Sequence, residues 1–278
     1  MFPRRRRSMR TKSLAAPYIV WMVIFTVVPL AMVAYFAFTT NTGEFTFANM
    51  SRAAEYLPVL LRSVWYALAS CVICLLVGYP VAYVIAQSRA STQRVLYLLV
   101  TLPMCMSFLL RTLAWVALLR DTGIINSFLA SFGIGPLPLI RNAGSVIAGM
   151  VYTYLPYMIM PLYTVISKLD PRLIEAAQDL GCDSKQVFRR VILPLSMPGI
   201  ISGITMVFVP AVSTFYISQK LGGTNNTMIG DVIELQFKGS INQNLGAAMS
   251  LILMVLVFIS IWLMNRFTGE GDEGVATI

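Results

Sequence analysis

Residues 175–195 read EAAQDLGCDSKQVFRRVILPL, and they form a polar segment between two strongly apolar runs of the chain. Just before this stretch, Asp170 can cap a helix, and Pro171 suits the first helical position because its missing N–H would have no partner there. Gly181 suits the left-handed residue that ends many helices. Asp183, followed three residues later by a glutamine, matches a capping box. The segment therefore predicts a short helix, a tight turn and a second helix.

The first of these two helices is amphipathic. Its apolar positions recur at helical spacing and are Leu173, Ala176, Ala177 and Leu180. A face of this kind can dock in the groove of a partner protein, and it can equally lie among lipid headgroups. The pattern by itself leaves both alternatives open.

The composition places the chain among membrane proteins. Of its 278 residues, 57% are hydrophobic and 12% are charged, whereas a soluble domain carries about 25% charged residues. The net charge of +9 is spread between apolar runs, which argues against a nucleic-acid-binding surface. The chain has four cysteines and no histidine. Cys71 and Cys74 lie inside an apolar run, so we interpret them as small apolar residues rather than as metal ligands.

Six apolar segments approach or exceed the roughly 20 residues with which a helix crosses a bilayer. Basic residues precede the first segment, but its apolar run is longer than a typical signal-peptide core, so we expect it to be retained. Arg111, just past the third segment, is expected at the membrane boundary with its head in water. The sequence thus predicts an all-α membrane protein with transmembrane helices at residues 17–38, 63–87, 95–110, 145–167, 199–219 and 245–265.

Lysines and arginines predict the orientation of these helices. With both termini inside, the cytoplasmic segments hold 14 of these residues and the outer segments hold 6, with Arg111 left at the boundary. Because cytoplasmic loops carry the excess of basic residues, we expect both termini and the 168–195 loop to be cytoplasmic. We divide the chain into residues 1–60 (a basic N-terminus, the first helix and an outer loop), 61–266 (the transmembrane core) and an acidic tail, 267–278.

The polar segment resembles the EAA signature of ABC importer permeases of the binding-protein-dependent type, E-A-A-x3-G-x9-I-x-L-P. Val191 stands where that family prefers isoleucine, which is a mild departure. The resemblance implies the type I permease fold and a loop that seats in a cleft of a separate ATPase subunit. The residues to which it assigns this coupling are Glu175, Ala176, Ala177, Leu180, Gly181, Leu193 and Pro194.

Shorter stretches extend the resemblance over most of residues 60–265. They are similar to the first permease subunit of spermidine/putrescine importers and lie at residues 76–80, 158–163, 197–200, 221–223 with 229–230, and 246–248. The resemblance implies a bacterial cytoplasmic membrane protein that forms a heterodimer with a second permease subunit. It also implies two copies of a cytoplasmic ATPase subunit, which bind ATP and Mg, and an extracytoplasmic substrate-binding protein.

The predicted spans contain no aspartate or glutamate, which leaves a cationic substrate without a carboxylate from this chain. We hypothesise that the second permease supplies the carboxylates and that this chain offers aromatic rings and oxygens, each cation–π contact contributing about 0.5–2 kcal/mol. The alternative is that these aromatic residues belong to an interfacial belt or to helix packing. The candidates are Tyr152, Tyr154, Tyr157, Phe215, Tyr216 and Ser218, with Asp231 and Glu234 as acidic groups on the outer segment.

Other classes of function lack their residues. The sequence has no G-x-x-x-x-G-K-[ST] phosphate loop, so the chain is not expected to bind ATP itself, and we expect no cofactor or metal in it. An intramembrane enzyme would need a histidine, a carboxylate pair or a lysine in a span, and the predicted spans have none of these. We therefore expect a transport subunit that is not an enzyme. A permease for another small solute, or a channel or scaffold protein, remains as an alternative.

Overall fold

The computed structural model of the protein describes residues 17–40, 42–238 and 242–267. Within these ranges the chain is helical, and its β-structure amounts to an isolated bridge between Thr39 and Phe45. The predicted basic N-terminal segment, residues 1–16, lies outside the described residues, as does the acidic tail from residue 268 onward. The observed helices match the predicted all-α fold class.

In chain order, the helices of these ranges are α1 Pro17–Ala37, α2 Ala48–Ala54, α3 Leu57–Gln87, α4 Ala90–Thr101, α5 Phe108–Leu119, α6 Ile124–Ala130, α7 Ala143–Ile166, α8 Pro171–Asp179, α9 Ser184–Leu195, α10 Met197–Val212, α11 Ile229–Lys238 and α12 Gln243–Phe267. By length and apolar composition, α1, α3, α7 and α12 can each cross a membrane. Two further candidates are bent pairs, so the described chain has four such spans, or six if each bent pair counts as one.

The third predicted span is interrupted, so the prediction of one helix over residues 95–110 is wrong. A 3₁₀ turn at Leu102–Cys105 follows α4, and the backbone is extended at Met106 before α5 begins at Phe108. The two arms of this bent pair differ in direction by 91°. Pro103 lies in the turn and has no N–H for helical bonding, which explains why the helix ends there.

The fifth predicted span, residues 199–219, also ends early. The helix α10 stops at Val212, and a separate π-helical turn follows at Ser218–Gly222. Pro210 lies two residues before this end and cannot donate a helical hydrogen bond. The Ser213 hydroxyl donates to the Val209 carbonyl at 3.1 Å and so supports the frayed last turn. The break leaves a short irregular stretch between α10 and the π-helical turn.

Prolines also explain two π-helical stretches in the described chain. In α1, Val28 donates its N–H to Val23, five residues back, immediately before Pro29. In α9, Leu193 donates in the same way to Phe188 immediately before Pro194. Because a proline ring clashes with the carbonyl four residues back, the turn before each proline widens and relieves this crowding.

One compact unit comprises Pro58–Val232 with Val255–Ile278, and α7 and α10 pack closely in its core. A Cβ added at Gly203 on α10 would lie 2.6 Å from the Met158 sulfur on α7. Small residues permit this close approach in membrane helices. The fully buried side chains around the contact include Met150, Met158, Leu162 and Val207.

Within this unit, the stretch before α11 is held against α3. Arg62 donates to the carbonyls of Asn225 at 2.7 Å and Thr227 at 2.6 Å. The Ile229 N–H donates to the Ser63 hydroxyl at 2.8 Å. These bonds fix the start of α11 to the side of a long membrane helix.

The other compact unit comprises Met1–Leu57 with Ile233–Met254. Asn49 donates to the carbonyls of Ala37 and Thr39, and Asn244 donates to the same Thr39 carbonyl. In α1, Trp21 and Phe25 are more than half exposed, as expected for a helix that faces lipid.

Candidate functional site

The polar hairpin at residues 170–195 forms the helix, turn and second helix that its sequence predicts. The Asp170 carboxylate accepts the Arg172 N–H at 3.0 Å, and Pro171 occupies the first position of α8. Gly181 has φ +83°, the left-handed region that favours glycine, and the Cys182 N–H donates back to the Ala177 carbonyl at 3.1 Å. The turn is therefore built from local signals.

The predicted capping box at the start of α9 is also confirmed. The Asp183 carboxylate accepts the Gln186 N–H at 2.7 Å, and the Asp183 N–H donates to the Gln186 side chain at 3.3 Å. A recess of about 420 Å³ opens on this helix start, and most of its lining is polar or cationic: Asp183, Lys185, Gln186, Arg189 and Arg190. The hairpin thus has a positively charged flank.

The predicted coupling residues of α8 are presented to the exterior. Leu180 is 85% exposed and Leu173 is 48% exposed, although both are large apolar side chains. Glu175 and Ala176 are exposed as well, and Ala177 is partly so. Exposed apolar residues on a helix that is otherwise polar indicate a surface that another molecule covers. The assignment of Glu175, Ala176, Ala177, Leu180, Gly181, Leu193 and Pro194 to coupling stays a prediction.

The sequence analysis missed the residues that join the hairpin to the membrane helices. Phe188 on α9 packs edge-to-face on Tyr79 of α3 at 5.5 Å between ring centroids, and on Tyr83 at 6.3 Å. Tyr79 also shares a buried 2.8 Å hydrogen bond with the Ser196 hydroxyl at the α9–α10 junction. These contacts join the hairpin directly to α3. Phe188 is more than a hundred positions from Tyr79 and Tyr83, so no local sequence signal connects them.

The predicted aromatic wall is divided into separate contacts. Tyr154 and Tyr157 share a face of α7, as their spacing predicts, with centroids 6.3 Å apart. Tyr154 is buried and donates to the Pro210 carbonyl at 3.2 Å, whereas Tyr157 is 36% exposed. Tyr152 lies in a different pair, 5.4 Å from the ring of Trp115 on α5.

The other candidates lie beyond the end of α10. Phe215 is 40% exposed, and the Tyr216 ring lies 5.9 Å from Phe108 of α5. The Lys220 ammonium lies 5.6 Å from the centre of the Tyr216 ring, so this ring already faces one cation of the chain itself. The roles of these residues in a substrate path stay predictions.

Ser218, Asp231 and Glu234 make bonds that support the outer segment. Ser218 is fully buried and donates to the Asp231 carboxylate at 3.0 Å. The same carboxylate accepts the Met228 N–H at 2.6 Å, and Asp231 is buried. Glu234 pairs with Lys238 one turn later in α11. These contacts give the three residues a structural role, and their predicted contact with substrate stays a prediction.

The expectation that Arg111 keeps its head in water is wrong. Because the third span breaks before Ser107, Arg111 falls in the first turn of α5, and its side chain is 7% exposed. A single arginine within the otherwise apolar stretch from residue 95 to residue 119 is the sequence signal for a residue placed among apolar helices.

The described chain has several apolar spans, two further candidates that are bent pairs, and an exposed capped hairpin between α7 and α10. These features define a multi-pass membrane protein of the permease class. The sequence matches the family model of the binding-protein-dependent transport system inner membrane component over residues 76–268. The chain belongs to this family, whose members are transport subunits, and this membership confirms that it is not an enzyme.

The chain is similar to curated permeases along most of its length. It is 38% identical over 256 residues to the spermidine/putrescine transport system permease protein PotB of Haemophilus influenzae, covering 88% of this chain and 90% of that protein. It is 37% identical over 266 residues to PotB of Escherichia coli, covering 91% and 97%. These similarities confirm the resemblance drawn from the short motifs.

A solved structure shares the fold. A chain of a bacterial ABC transporter involved in the import of the acidic polysaccharide alginate superposes with a TM-score of 0.75, covering 96% of this chain and 98% of that one. The two sequences are 17% identical, so this likeness concerns the fold alone. It confirms the predicted ABC importer permease architecture.

Proposed function

We propose that this chain is the first permease subunit of an ATP-driven importer of polyamines such as spermidine and putrescine. The observation that carries the proposal is the identity of 37–38% to spermidine/putrescine permeases, which extends over about nine tenths of both chains. We place the protein in the bacterial cytoplasmic membrane with both termini and the hairpin in the cytoplasm. The basic residues of the 168–195 loop favour this orientation.

In this proposal the hairpin couples the membrane helices to a motor. The helix α8 seats in a cleft of a cytoplasmic ATPase subunit, of which two copies bind ATP and Mg. Leu180 and Leu173 would lose their exposure to water on docking, which supplies the driving force for the contact. ATP binding shifts the conformational equilibrium only if the closed motor dimer binds one state of the permease more tightly. The contacts of Phe188 with Tyr79 and Tyr83 then pass the movement to α3.

The translocation path is shared with a second permease subunit, and an extracytoplasmic binding protein delivers the substrate. One solved neighbour is a bacterial alginate ABC transporter in complex with a pentasaccharide-bound periplasmic protein, which supports the delivery step. Tyr157 and Phe215 are the most exposed of the aromatic candidates and are suited to meet ammonium groups by cation–π contact. The second permease would supply the carboxylates that the predicted spans of this chain lack.

Uptake of radiolabelled spermidine and putrescine tests the proposal. A bacterial strain without its own polyamine importers would express this chain with its second permease, ATPase and binding protein. We expect saturable uptake that stops when the ATPase subunit carries an inactivating substitution. A complex that assembles and hydrolyses ATP, but accumulates neither polyamine, would show that the subunit serves another solute.

A further inference from the structure

Arg111 is a buried cation that forms no ion pair with the described residues. The side chain is 7% exposed, and its Nε and Nη1 groups are buried without a hydrogen-bond acceptor among the described residues. In proteins the great majority of buried polar groups have a hydrogen-bond partner. A buried charge without a partner destabilises the fold more than an unpaired neutral group does. An ionisable residue at membrane depth is therefore expected to have a functional partner.

In residues 17–40, 42–238 and 242–267, no acidic side chain forms an ion pair with the Arg111 guanidinium within 4 Å, and the pair that meets this distance joins Lys238 and Glu234. The buried carboxylate of Asp231 accepts hydrogen bonds from Ser218 and Met228. A counter-ion for Arg111 is therefore sought in another chain.

Arg111 lies on α5 close to contacts made by two aromatic candidates for the substrate path. One of these candidates, Tyr154, donates to the Pro210 carbonyl near the end of α10. Phe108, three residues earlier on the same face of α5, contacts Tyr216. A positive charge at this place repels an ammonium substrate unless a negative charge lies close by.

We propose that Arg111 pairs with a carboxylate of the second permease subunit and that a cationic substrate competes with Arg111 for this carboxylate. The guanidinium neutralises the carboxylate between transport cycles, and the substrate ammonium replaces it during passage. The two helix breaks beside Arg111, before α5 and after α10, are where the backbone can move to open and close the pair. This inference rests on the proposed heterodimer and names the chemistry of one contact in it.

Cross-linking tests the contact in the purified complex of both permeases with the ATPase. In a background in which Cys71, Cys74, Cys105 and Cys182 are replaced, Arg111→Cys would be combined with single cysteines at each intramembrane acid of the second permease. We expect one position to form a disulfide. Arg120→Cys, from the exposed end of the same helix, is the matched control and should form none with that position. If no acidic position cross-links to residue 111, the proposal is overturned.

Charge exchange tests whether the contact is an ion pair. We expect Arg111→Glu to lower spermidine uptake about 100-fold, because it places two acids together, and Arg111→Lys to keep most of the uptake. Replacing the cross-linked acid by arginine should restore Arg111→Glu to within about tenfold of the original rate. Failure of this rescue, with the complex still assembled, contradicts the pairing. The cross-link needs no solute, so a complex that imports no polyamine would refute the proposed substrate without deciding the fate of this contact.

Discussion

Because Gly203 has no side chain, the membrane helices α7 and α10 can approach closely at this position. A Cβ at this position would lie 2.6 Å from the Met158 sulfur, and the backbone of α7 is also near, since the Met158 carbonyl would be 3.4 Å away. We predict that Gly203→Ala lowers the free energy of unfolding by about 1–3 kcal/mol, because the core is already tightly packed. The thermal midpoint of the detergent-purified complex measures this effect.

The matched control for this substitution is Gly135→Ala. An added Cβ at residue 135 has no neighbour within 4 Å among the described residues, and its φ is not in the left-handed region. Its midpoint should therefore remain unchanged. If both variants have the same thermal midpoint as the original protein, the close packing of α7 against α10 does not contribute to stability as we argue.

At the scale of elements, α8 presents apolar side chains to the exterior, and the proposed coupling assigns them to a partner subunit. Leu180 is 85% exposed, so it contributes little to the fold, and substitutions at such surface positions change stability by about 0.5 kcal/mol or less. We predict that Leu180→Asp leaves the thermal midpoint of the permease unchanged and strongly reduces the ATPase that copurifies with it. Burying a carboxylate in an apolar cleft is costly, which is the reason for the expected loss.

The control for Leu180→Asp is Ile124→Asp on α6, where an apolar residue is 70% exposed at the first position of a helix. An acidic residue is favourable in the first turn of a helix, so this variant should fold and retain the ATPase. Equal loss of ATPase in both variants would indicate a general effect of added charge and would argue against docking through α8.

The same elements separate what the sequence could predict from what it could not. The bounds of α8 and α9 follow from Asp170, Pro171, Gly181 and Asp183, because caps and left-handed glycines act over a few residues. The break after α10 could not be located this way, since Pro156 and Pro161 lie inside the unbroken α7. Whether a proline ends a helix depends on packing against other helices, which no local pattern specifies.

The candidate site shows the same division between local and tertiary information. The pairing of Tyr154 with Tyr157 follows from their spacing on one helix. The burial of Arg111 depends on the direction that α5 takes after a 91° bend, which no local pattern specifies. The contact of Phe188 with Tyr79 joins residues more than a hundred positions apart.

For the whole molecule, the proposed coupling requires the basic hairpin to lie on the cytoplasmic side of the membrane. Five basic residues lie in the 168–195 loop, whereas Arg120 and Arg141 flank the 121–140 segment. We predict that a membrane-impermeant maleimide labels Gly135→Cys in spheroplasts and labels Lys185→Cys only after the membrane is permeabilised, both in a cysteine-free background. Both positions have room for the reagent, since Lys185 is exposed and a Cβ at Gly135 meets nothing within 4 Å. The positive-inside rule is the physical reason, because basic loops are retained in the cytoplasm.

Labelling of residue 185 in intact spheroplasts would place α8 on the outer side, where no ATP is available, and the proposed coupling would then be impossible.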